Sequence, residues 1–352
     1  MKQINLNVSG VPTDTPTLKI DTSDVVYQAE FVSLTRAVFR LPDSAAPHGA
    51  TIRWADRAAR FVVPAQPGAY EGSALGLPTL DYMPAQRRIR VSGELFIDEV
   101  GQRWLWRGCA DFRLPQRLMA GEDITSILQE RRSLGANLVR AFAMKANNTG
   151  WDLIPQRRPD YFGDIRRFFE RVAAAGLSCE WTVFADTAVV MPDAAAQQDF
   201  FAQTCDVVRQ YPFVFVELCN EWNHPTQRID PSRFTRPQGI LASHGSGLTD
   251  ADTVQPRWDF ATYHARRDGA RGFTNYDPYG FQGVYPQPGP LVPDEGAKPE
   301  DYGGNTDFAF RMGQHARCGV GGTFHSNAGI DSRPFNPVER ACAEAFFHGL
   351  NG

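Results

Sequence analysis

The run Phe213-Val214-Phe215-Val216-Glu217-Leu218-Cys219-Asn220-Glu221 indicates the fold most clearly. It is apolar for most of its length, which is typical of a parallel strand that is buried on both faces. The run ends in a polar cluster, and Glu217 shares strand parity with Glu221. Because an unpaired buried carboxylate would be costly, we expect Glu217 to have an Arg or His partner and a structural role.

Helix-period and strand-like segments alternate on both sides of this run, which is typical of βα units around a parallel sheet. Apolar residues at helical spacing predict helices over 124–134 and 165–172, and Asn336-Pro337 is a helix start signal. We predict an α/β fold, a (β/α)8 TIM barrel over residues 89–352, whose eight strands are Gly108–Phe112, Leu138–Phe142, Trp181–Ala185, Phe213–Glu221, Gly239–Ser243, Asp259–His264, Pro290–Asp294 and Gly319–Phe324.

Residues 1–88 have a different pattern, with short β-prone runs separated by Pro, Gly, Asp and Ser. We therefore predict a small β-rich accessory region there. Between this region and the barrel, two alternating runs about a Gly-containing turn, within Arg88–Gly108, predict a hairpin.

The bulk composition narrows the classes of function. The 352 residues fit one barrel, which needs about 250 residues, plus a small region. A net charge of −4 without a Lys/Arg block gives no support for nucleic-acid binding, and no apolar stretch is long enough to cross a bilayer. No signal peptide is visible, so a cytoplasmic location and export by another route both stay open, as does the oligomeric state.

Two predicted strands end in glutamates, and barrel enzymes place their catalytic groups at such strand ends. The fourth strand ends in Asn220-Glu221, and the seventh is followed by Glu295, within Pro293-Asp294-Glu295-Gly296. In these motifs and their order, residues 89 to 352 resemble the glycoside hydrolase clan of cellulases, β-mannanases and β-galactosidases, whose fourth strand ends in Asn-Glu.

The resemblance implies a retaining hydrolase that cleaves β-linked glycosides or polysaccharides by double displacement. It implies that Glu221 is the general acid/base, that Glu295 is the nucleophile and that Asn220 hydrogen-bonds the sugar 2-hydroxyl. It also implies that Arg140, in a motif similar to the clan's second strand, reaches toward the nucleophile. The expected partner is an oligo- or polysaccharide, and neither a cofactor nor a metal is expected.

Other residues at strand ends and in loops are expected to line a sugar site. His264 ends the sixth strand and His325 ends the eighth, while Trp222 and Trp151 are placed to stack on sugar rings. The clan often has a Trp at the end of the eighth strand, where this chain has His325-Ser326. The platform under the reacting sugar is therefore a point of departure from the clan.

Three other interpretations were weighed against the hydrolase. A metal-dependent barrel would need a His-x-His pair at the first strand, which instead contains Cys109-Ala110-Asp111. The serines of Ser243-His244-Gly245-Ser246 lack the context of a nucleophile elbow. A barrel that has lost catalysis and binds glycans, as part of a surface or virion assembly, remains the alternative from another class.

Overall fold

The computed structural model describes residues 2–9, 17–21, 25–33, 36–42, 48–54, 57–64, 66, 68–75, 77, 80–81, 88–146, 152–247, 258–264 and 289–351. The chain divides into two compact units, Met1–Ala85 and Gln86–Gly352. No helix in the described ranges has the length and apolar character that a membrane span requires.

The described residues of the first unit form two β-sheets and a 3-10 turn at Gly72–Leu75. Its strands are β1 (Lys2–Ser9), β2 (Thr17–Ile20), β3 (Val26–Gln28), β4 (Glu30–Ser33), β5 (Arg36–Leu41), β6 (His48–Trp54), β7 (Arg57–Val63), β8 (Gly68–Glu71) and β9 (Leu80–Asp81). One sheet has the order β4-β5-β1-β8, with β9 also paired to β1, and the other has the order β3-β2-β6-β7. Buried side chains from both sheets, such as Ile4 and Phe39 from one and Ile52 and Phe61 from the other, form one core. An accessory role for residues 1–88 stays a prediction.

The second unit begins with the hairpin of β10 (Arg90–Ser92) and β11 (Leu95–Ile97), which turns at Gly93 with a φ of 59°. Eight strands follow it: β12 (Trp106–Ala110), β13 (Leu138–Phe142), β14 (Ser178–Phe184), β15 (Val214–Cys219), β16 (Ala242–Ser243), β17 (Ala261–His264), β18 (Leu291–Glu295) and β19 (Gly321–Phe324). All pairings among these eight strands in the described residues are parallel.

In the described residues of the second unit, α-helices follow β12, β13, β14, β18 and β19, and a 3-10 turn lies between β15 and β16. The helices are α1 (Leu114–Met119), α2 (Thr125–Ser133), α3 (Tyr161–Ala174), α4 (Thr187–Val190), α5 (Ala194–Val208), α6 (Thr306–Cys318), α7 (Asn327–Asp331) and α8 (Pro337–Asn351), with 3-10 turns at Pro155–Arg157, Pro231–Arg233 and Pro299–Tyr302. Asn336 caps α8, because its Oδ1 accepts hydrogen bonds from the backbone N–H groups of Val338 and Glu339.

The prediction of an α/β fold with a parallel sheet is confirmed, and a strand lies at each of the eight predicted positions. The sheet runs β16-β15-β14-β13-β12-β19, so the first of the eight strands pairs with the last. β17 and β18 form a separate two-stranded ladder, and the Asp259 N–H donates to the Ala242 carbonyl between the fifth and sixth strands. The ladders of the described residues therefore curl round without forming one continuous eight-stranded sheet.

The space enclosed by the strands is filled with aromatic and aliphatic side chains near the strands' N-terminal ends. Trp106, Leu138, Phe215 and Val292 pack there against Phe96 of the β11 hairpin strand. The rings of Phe96 and Trp106 lie 5.5 Å apart between centroids. This end of the strands is therefore closed by packing. The polar groups of a site are expected at the opposite, carboxyl ends of the strands, where the sites of barrel enzymes lie.

Candidate active site

Glu221 lies two residues beyond the end of β15, in a conformation that few glutamates adopt. Its φ is 46°, in the left-handed region, which is strained for a residue with a side chain and is typical of functional positions. Hydrogen bonds hold this backbone: the Asn220 N–H donates to the Phe184 carbonyl at 3.0 Å, and the Trp222 N–H donates to the Ser246 carbonyl at 3.2 Å. The Glu221 side chain is 21% exposed, so solvent and ligands reach it.

Glu295 is the last residue of β18, and its side chain is only 7% exposed. Arg140, from β13, donates a hydrogen bond from Nη1 to Glu295 Oε1 at 2.8 Å. The guanidinium stabilises the carboxylate form of Glu295, because opposite charges at contact distance attract strongly in a buried setting. Glu295 is thus a buried, charge-paired carboxylate at the carboxyl end of its strand.

His264 lies between the two glutamates. Its Nδ1 is 3.1 Å from Glu221 Oε1, and its Nε2 is 3.7 Å from Glu295 Oε1. One carboxylate oxygen of Glu221 and one of Glu295 are within 4.8 Å of each other. This upper limit on one oxygen to oxygen distance is compatible with the separation of about 5 to 5.5 Å that retaining glycosidases have between their carboxyl groups.

Arg140 connects the strand ends to each other. It is fully buried, and besides Glu295 it binds Glu217 Oε2 from Nη2 at 2.7 Å and Asn220 Oδ1 from Nη2 at 2.8 Å. The expected partner of Glu217 is therefore this arginine. Since Arg140 donates to the Asn220 side-chain oxygen, the NH₂ group of that amide is oriented away from the guanidinium.

Aromatic rings lie next to this polar cluster. Phe112 and Phe142 stack with centroids 4.1 Å apart, and the Arg140 guanidinium carbon lies 5.4 Å and 5.2 Å from the two ring centroids. The His325 ring is 5.6 Å from that of Phe112. The side chains beside the glutamates thus include two phenylalanines and a histidine, in a chain that lacks the tryptophan expected at the eighth strand's end.

The structure brings together five of the residues that the sequence singled out: Arg140, Asn220, Glu221, His264 and Glu295. His325 is farther away, with its Nε2 4.0 Å from Glu295 Oε2. Trp222 is half-buried and packs against the main core. Trp151 lies outside the described residues, as do Tyr276, Tyr279, Phe281 and Tyr285. The catalytic and sugar-binding roles of all these residues stay predictions.

Two acidic residues of the site were not predicted. Glu180, on β14, and Asp294, on β18, are fully buried next to Arg140. Burial raises the pKa of both carboxyl groups well above its usual value; nearby carboxylates add to the rise, and Arg140 opposes it. The sequence does contain a signal that Glu180 belongs to a site, because it is a charged residue within an apolar strand. By strand alternation its side chain lies on the same face as that of Thr182.

Acidic and imidazole groups are close enough here to raise the question of a metal. Among the residues that the structure describes, two groups of three have potential ligand atoms within 4.8 Å of one another: Glu221, His264 and Glu295, and Glu180, Glu217 and Asp294. Both contain partners of Arg140, whose guanidinium already supplies positive charge at contact distance. The geometry fits acid/base chemistry by carboxylates, and we assign no metal to it.

Comparisons with known proteins identify the fold of the chain and no more than the fold. No family model matches the sequence, and no curated protein matches it. A β-glucanase from Saccharophagus degradans, solved in complex with cellotetraose, superposes with a TM-score of 0.54 at 13% identity, covering 82% of this chain and 98% of that one. A β-mannanase from the blue mussel Mytilus edulis superposes with a TM-score of 0.51 at 12% identity, covering 75% and 97%. The chain has the fold of these barrel proteins.

Proposed function

We propose that the protein is a retaining glycoside hydrolase with a (β/α)8 barrel, which cleaves β-linked glycosides or polysaccharides. The observation that carries the proposal is the pair Glu221 and Glu295, which lie at the carboxyl ends of β15 and β18 with carboxylate oxygens within 4.8 Å of each other. The fold shared with a β-glucanase and a β-mannanase supports a β-linked substrate. The sugar and its linkage depend on loops at the carboxyl ends of the strands.

In the first step, Glu295 attacks the anomeric carbon as a carboxylate while Glu221 gives a proton to the leaving oxygen. The bond from the anomeric carbon to the leaving oxygen breaks, and a covalent glycosyl ester forms on Glu295. In the second step Glu221 removes a proton from water, which displaces Glu295 and leaves the product with the original configuration. In this mechanism the Asn220 NH₂ group donates a hydrogen bond to the sugar 2-hydroxyl.

The contacts divide the two roles. Glu295 is held by Arg140 at 2.8 Å, which favours the charged form that a nucleophile needs. In the part of the chain that the structure describes, Glu221 has no Arg or Lys partner; it is next to His264 at 3.1 Å and is the more exposed of the two, as a group that exchanges protons with water must be. These differences support Glu221 as the acid/base and Glu295 as the nucleophile.

The assignment is tested with Glu221→Ala and Glu295→Ala on a panel of aryl β-glycosides and β-linked polysaccharides. We expect Glu295→Ala to abolish turnover and Glu221→Ala to slow it by about 10² to 10⁴, most severely for poor leaving groups, which need the proton. Added azide should then give a β-glycosyl azide with Glu221→Ala and an α-glycosyl azide with Glu295→Ala. The exposed Glu344 provides a matched control, Glu344→Ala, which should leave turnover unchanged.

Two outcomes would count against the proposal. Full activity in either variant would remove that glutamate from its role. Binding of glycans by the unaltered protein, with no hydrolysis of any substrate in the panel, would favour the alternative of a non-catalytic glycan-binding barrel.

A further inference from the structure

A layer of buried ionisable groups lies next to the proposed nucleophile. Glu180, Glu217, Asp294 and Glu295 all approach Arg140, with shortest nitrogen to oxygen distances of 3.7, 2.7, 3.1 and 2.8 Å. The side chains of Glu180, Glu217 and Asp294 are 0% exposed. Four carboxyl groups therefore share one guanidinium in a region closed to water.

Glu217 accepts hydrogen bonds on both of its carboxyl oxygens. Oε2 accepts hydrogen bonds from Arg140 Nε at 3.0 Å, from Arg140 Nη2 at 2.7 Å and from the Thr182 hydroxyl at 2.5 Å. Oε1 accepts one from the Thr262 hydroxyl at 3.0 Å. The side chain of Glu217 is therefore well supplied with donors.

Glu180 and Asp294 differ from Glu217 in this respect. Within the described part of the chain, neither oxygen of either side chain accepts a hydrogen bond. Asp294 Oδ2 lies 3.1 Å from Arg140 Nη2, but that nitrogen directs its hydrogen bonds to Glu217 and Asn220. A buried carboxylate without donors loses the hydration that stabilises its charge in water and gains no hydrogen bonds in exchange.

The charges around these two groups also disfavour their ionisation. The ionisable groups that face Asp294 are Arg140, Glu180, Glu217, His264 and Glu295, with His264 Nε2 at 3.8 Å. Those that face Glu180 are Arg140, Glu217, Asp294 and Glu295. Arg140 provides one positive charge, and its guanidinium already donates hydrogen bonds to Glu217 and Glu295. Two more negative charges would have no counter-ion of their own.

We propose that Glu180 and Asp294 are neutral carboxylic acids in the folded protein, so that Arg140 is shared by Glu217 and Glu295 alone. For Glu295 the consequence rests on the proposed function: two neutral neighbours allow it to stay ionised for nucleophilic attack. Glu180 and Asp294 are then positioning residues that act through Arg140. Desolvation, the first cause of the raised pKa of both groups, acts in the same direction.

The direction of the pH effect follows from proton linkage. At low pH both groups are protonated in the folded and the unfolded chain, so they contribute no difference. As the pH rises above about 4, their pKa in the unfolded chain, the unfolded chain loses these protons while the folded protein retains them. The unfolding equilibrium constant then increases by about tenfold per pH unit for each group, until the raised folded pKa is reached.

The test compares the full-length protein with Asp294→Asn and Glu180→Gln, which replace each acid by a neutral group of the same shape. The free energy of unfolding is measured by denaturant titration between pH 5 and 8, without any substrate. The logarithm of the unfolding constant should increase less steeply with pH in each variant than in the wild type, because one titrating group is gone. The ratio of wild-type to variant unfolding constants should therefore rise with pH. Glu344→Gln, on the exposed face of α8, should keep the wild-type slope.

Curves for Asp294→Asn and Glu180→Gln that run parallel to the wild-type curve would overturn the proposal. If a variant does not fold, infrared spectra of the wild-type protein at pH 7 decide instead. The carbonyl stretch of a protonated carboxylic acid, a band that carboxylates lack, is expected both there and in Glu221→Ala, which lacks the proposed general acid, and its absence would overturn the proposal.

Activity gives a second readout that separates this proposal from the proposed function. With an active enzyme, ionisation of Asp294 at high pH would bring a further carboxylate to Arg140, so the alkaline limb of the pH–rate profile should move to higher pH in Asp294→Asn and not in Glu344→Gln. The slopes of the unfolding curves can change as expected while no form of the protein has hydrolase activity. That result would support neutral Glu180 and Asp294 and would contradict the proposed function.

Discussion

Arg140 is the residue on which the site depends most. It joins three strands by hydrogen bonds to Glu217, Asn220 and Glu295 from the separate nitrogens of a planar guanidinium, whereas a lysine carries all its donors on one nitrogen. Its contact with Glu295 was expected from the resemblance of its strand to the clan. Its sharing among several buried carboxyl groups was not expected.

Arg140→Lys tests whether this fork matters beyond its charge. We expect kcat to fall by about 10² to 10³, because a donor that stabilises the nucleophile is lost while a positive charge remains. The measurement is steady-state kinetics on the best substrate of the panel, together with thermal unfolding. Arg132→Lys, at an exposed position on α2, is the control. Unchanged kcat in Arg140→Lys would show that the bidentate contacts have no role in turnover.

Sequence reasoning located individual strand ends better than it located contacts between strands. Asn220-Glu221 could be recognised because the whole motif lies in one apolar run. Glu295 rested mainly on the order of strands, and its place at the end of β18 opposite Glu221 depends on the register between β17 and β18, which no single segment contains. The sequence did not predict Glu180 and Asp294 as site residues for the same reason, because Arg140, the cation next to both, lies on another strand.

The loop that follows β15 is held against α4 by one side chain, and this contact supports the strained Glu221. Gln227 donates from Nε2 to the Asn220 carbonyl at 2.7 Å, and its Oε1 accepts from the Thr187 N–H at 3.1 Å and hydroxyl at 3.0 Å. The Thr187 hydroxyl in turn accepts from the Arg228 N–H at 2.7 Å. The peptide before Glu221 is therefore fixed by a side chain that need not touch a ligand.

Gln227→Leu removes these hydrogen bonds while keeping the size of the side chain. We expect kcat to fall by up to about 10²-fold with a smaller change in KM, because a misplaced Glu221 affects proton transfer more than binding. Gln210→Leu, an exposed glutamine after α5, is the control for the substitution itself. An increase in KM without a change in kcat would instead indicate that Gln227 acts in substrate binding.

For the molecule as a whole, the two compact units raise the question of what each contributes. Gln86–Gly352 contains its own packed core and all the proposed catalytic groups, whereas Met1–Ala85 has a separate core between two sheets. The sequence predicted β-rich structure before residue 89, because alternation and turn residues are local signals. It contained no signal for a function of that region.

A chain of residues 86–352 is expected to fold and to keep the kcat/KM of the full-length protein on small aryl glycosides, because the proposed site draws on no residue before Gln86. Binding to insoluble polysaccharide should weaken if residues 1–88 are a carbohydrate-binding module. Circular dichroism, kinetics and a pull-down on the polysaccharide measure these effects. A folded fragment with no activity on aryl glycosides would contradict this division.

The most direct test of the central claim is the configuration of the first product. Proton NMR follows hydrolysis of the best β-glycoside from its first minutes, before mutarotation mixes the anomers. Glu221 and Glu295, with oxygens within 4.8 Å, predict that the β-anomer appears first, because two displacements at the anomeric carbon restore its configuration. Initial release of the α-anomer would contradict the account, since a single displacement by water leaves no covalent role for Glu295.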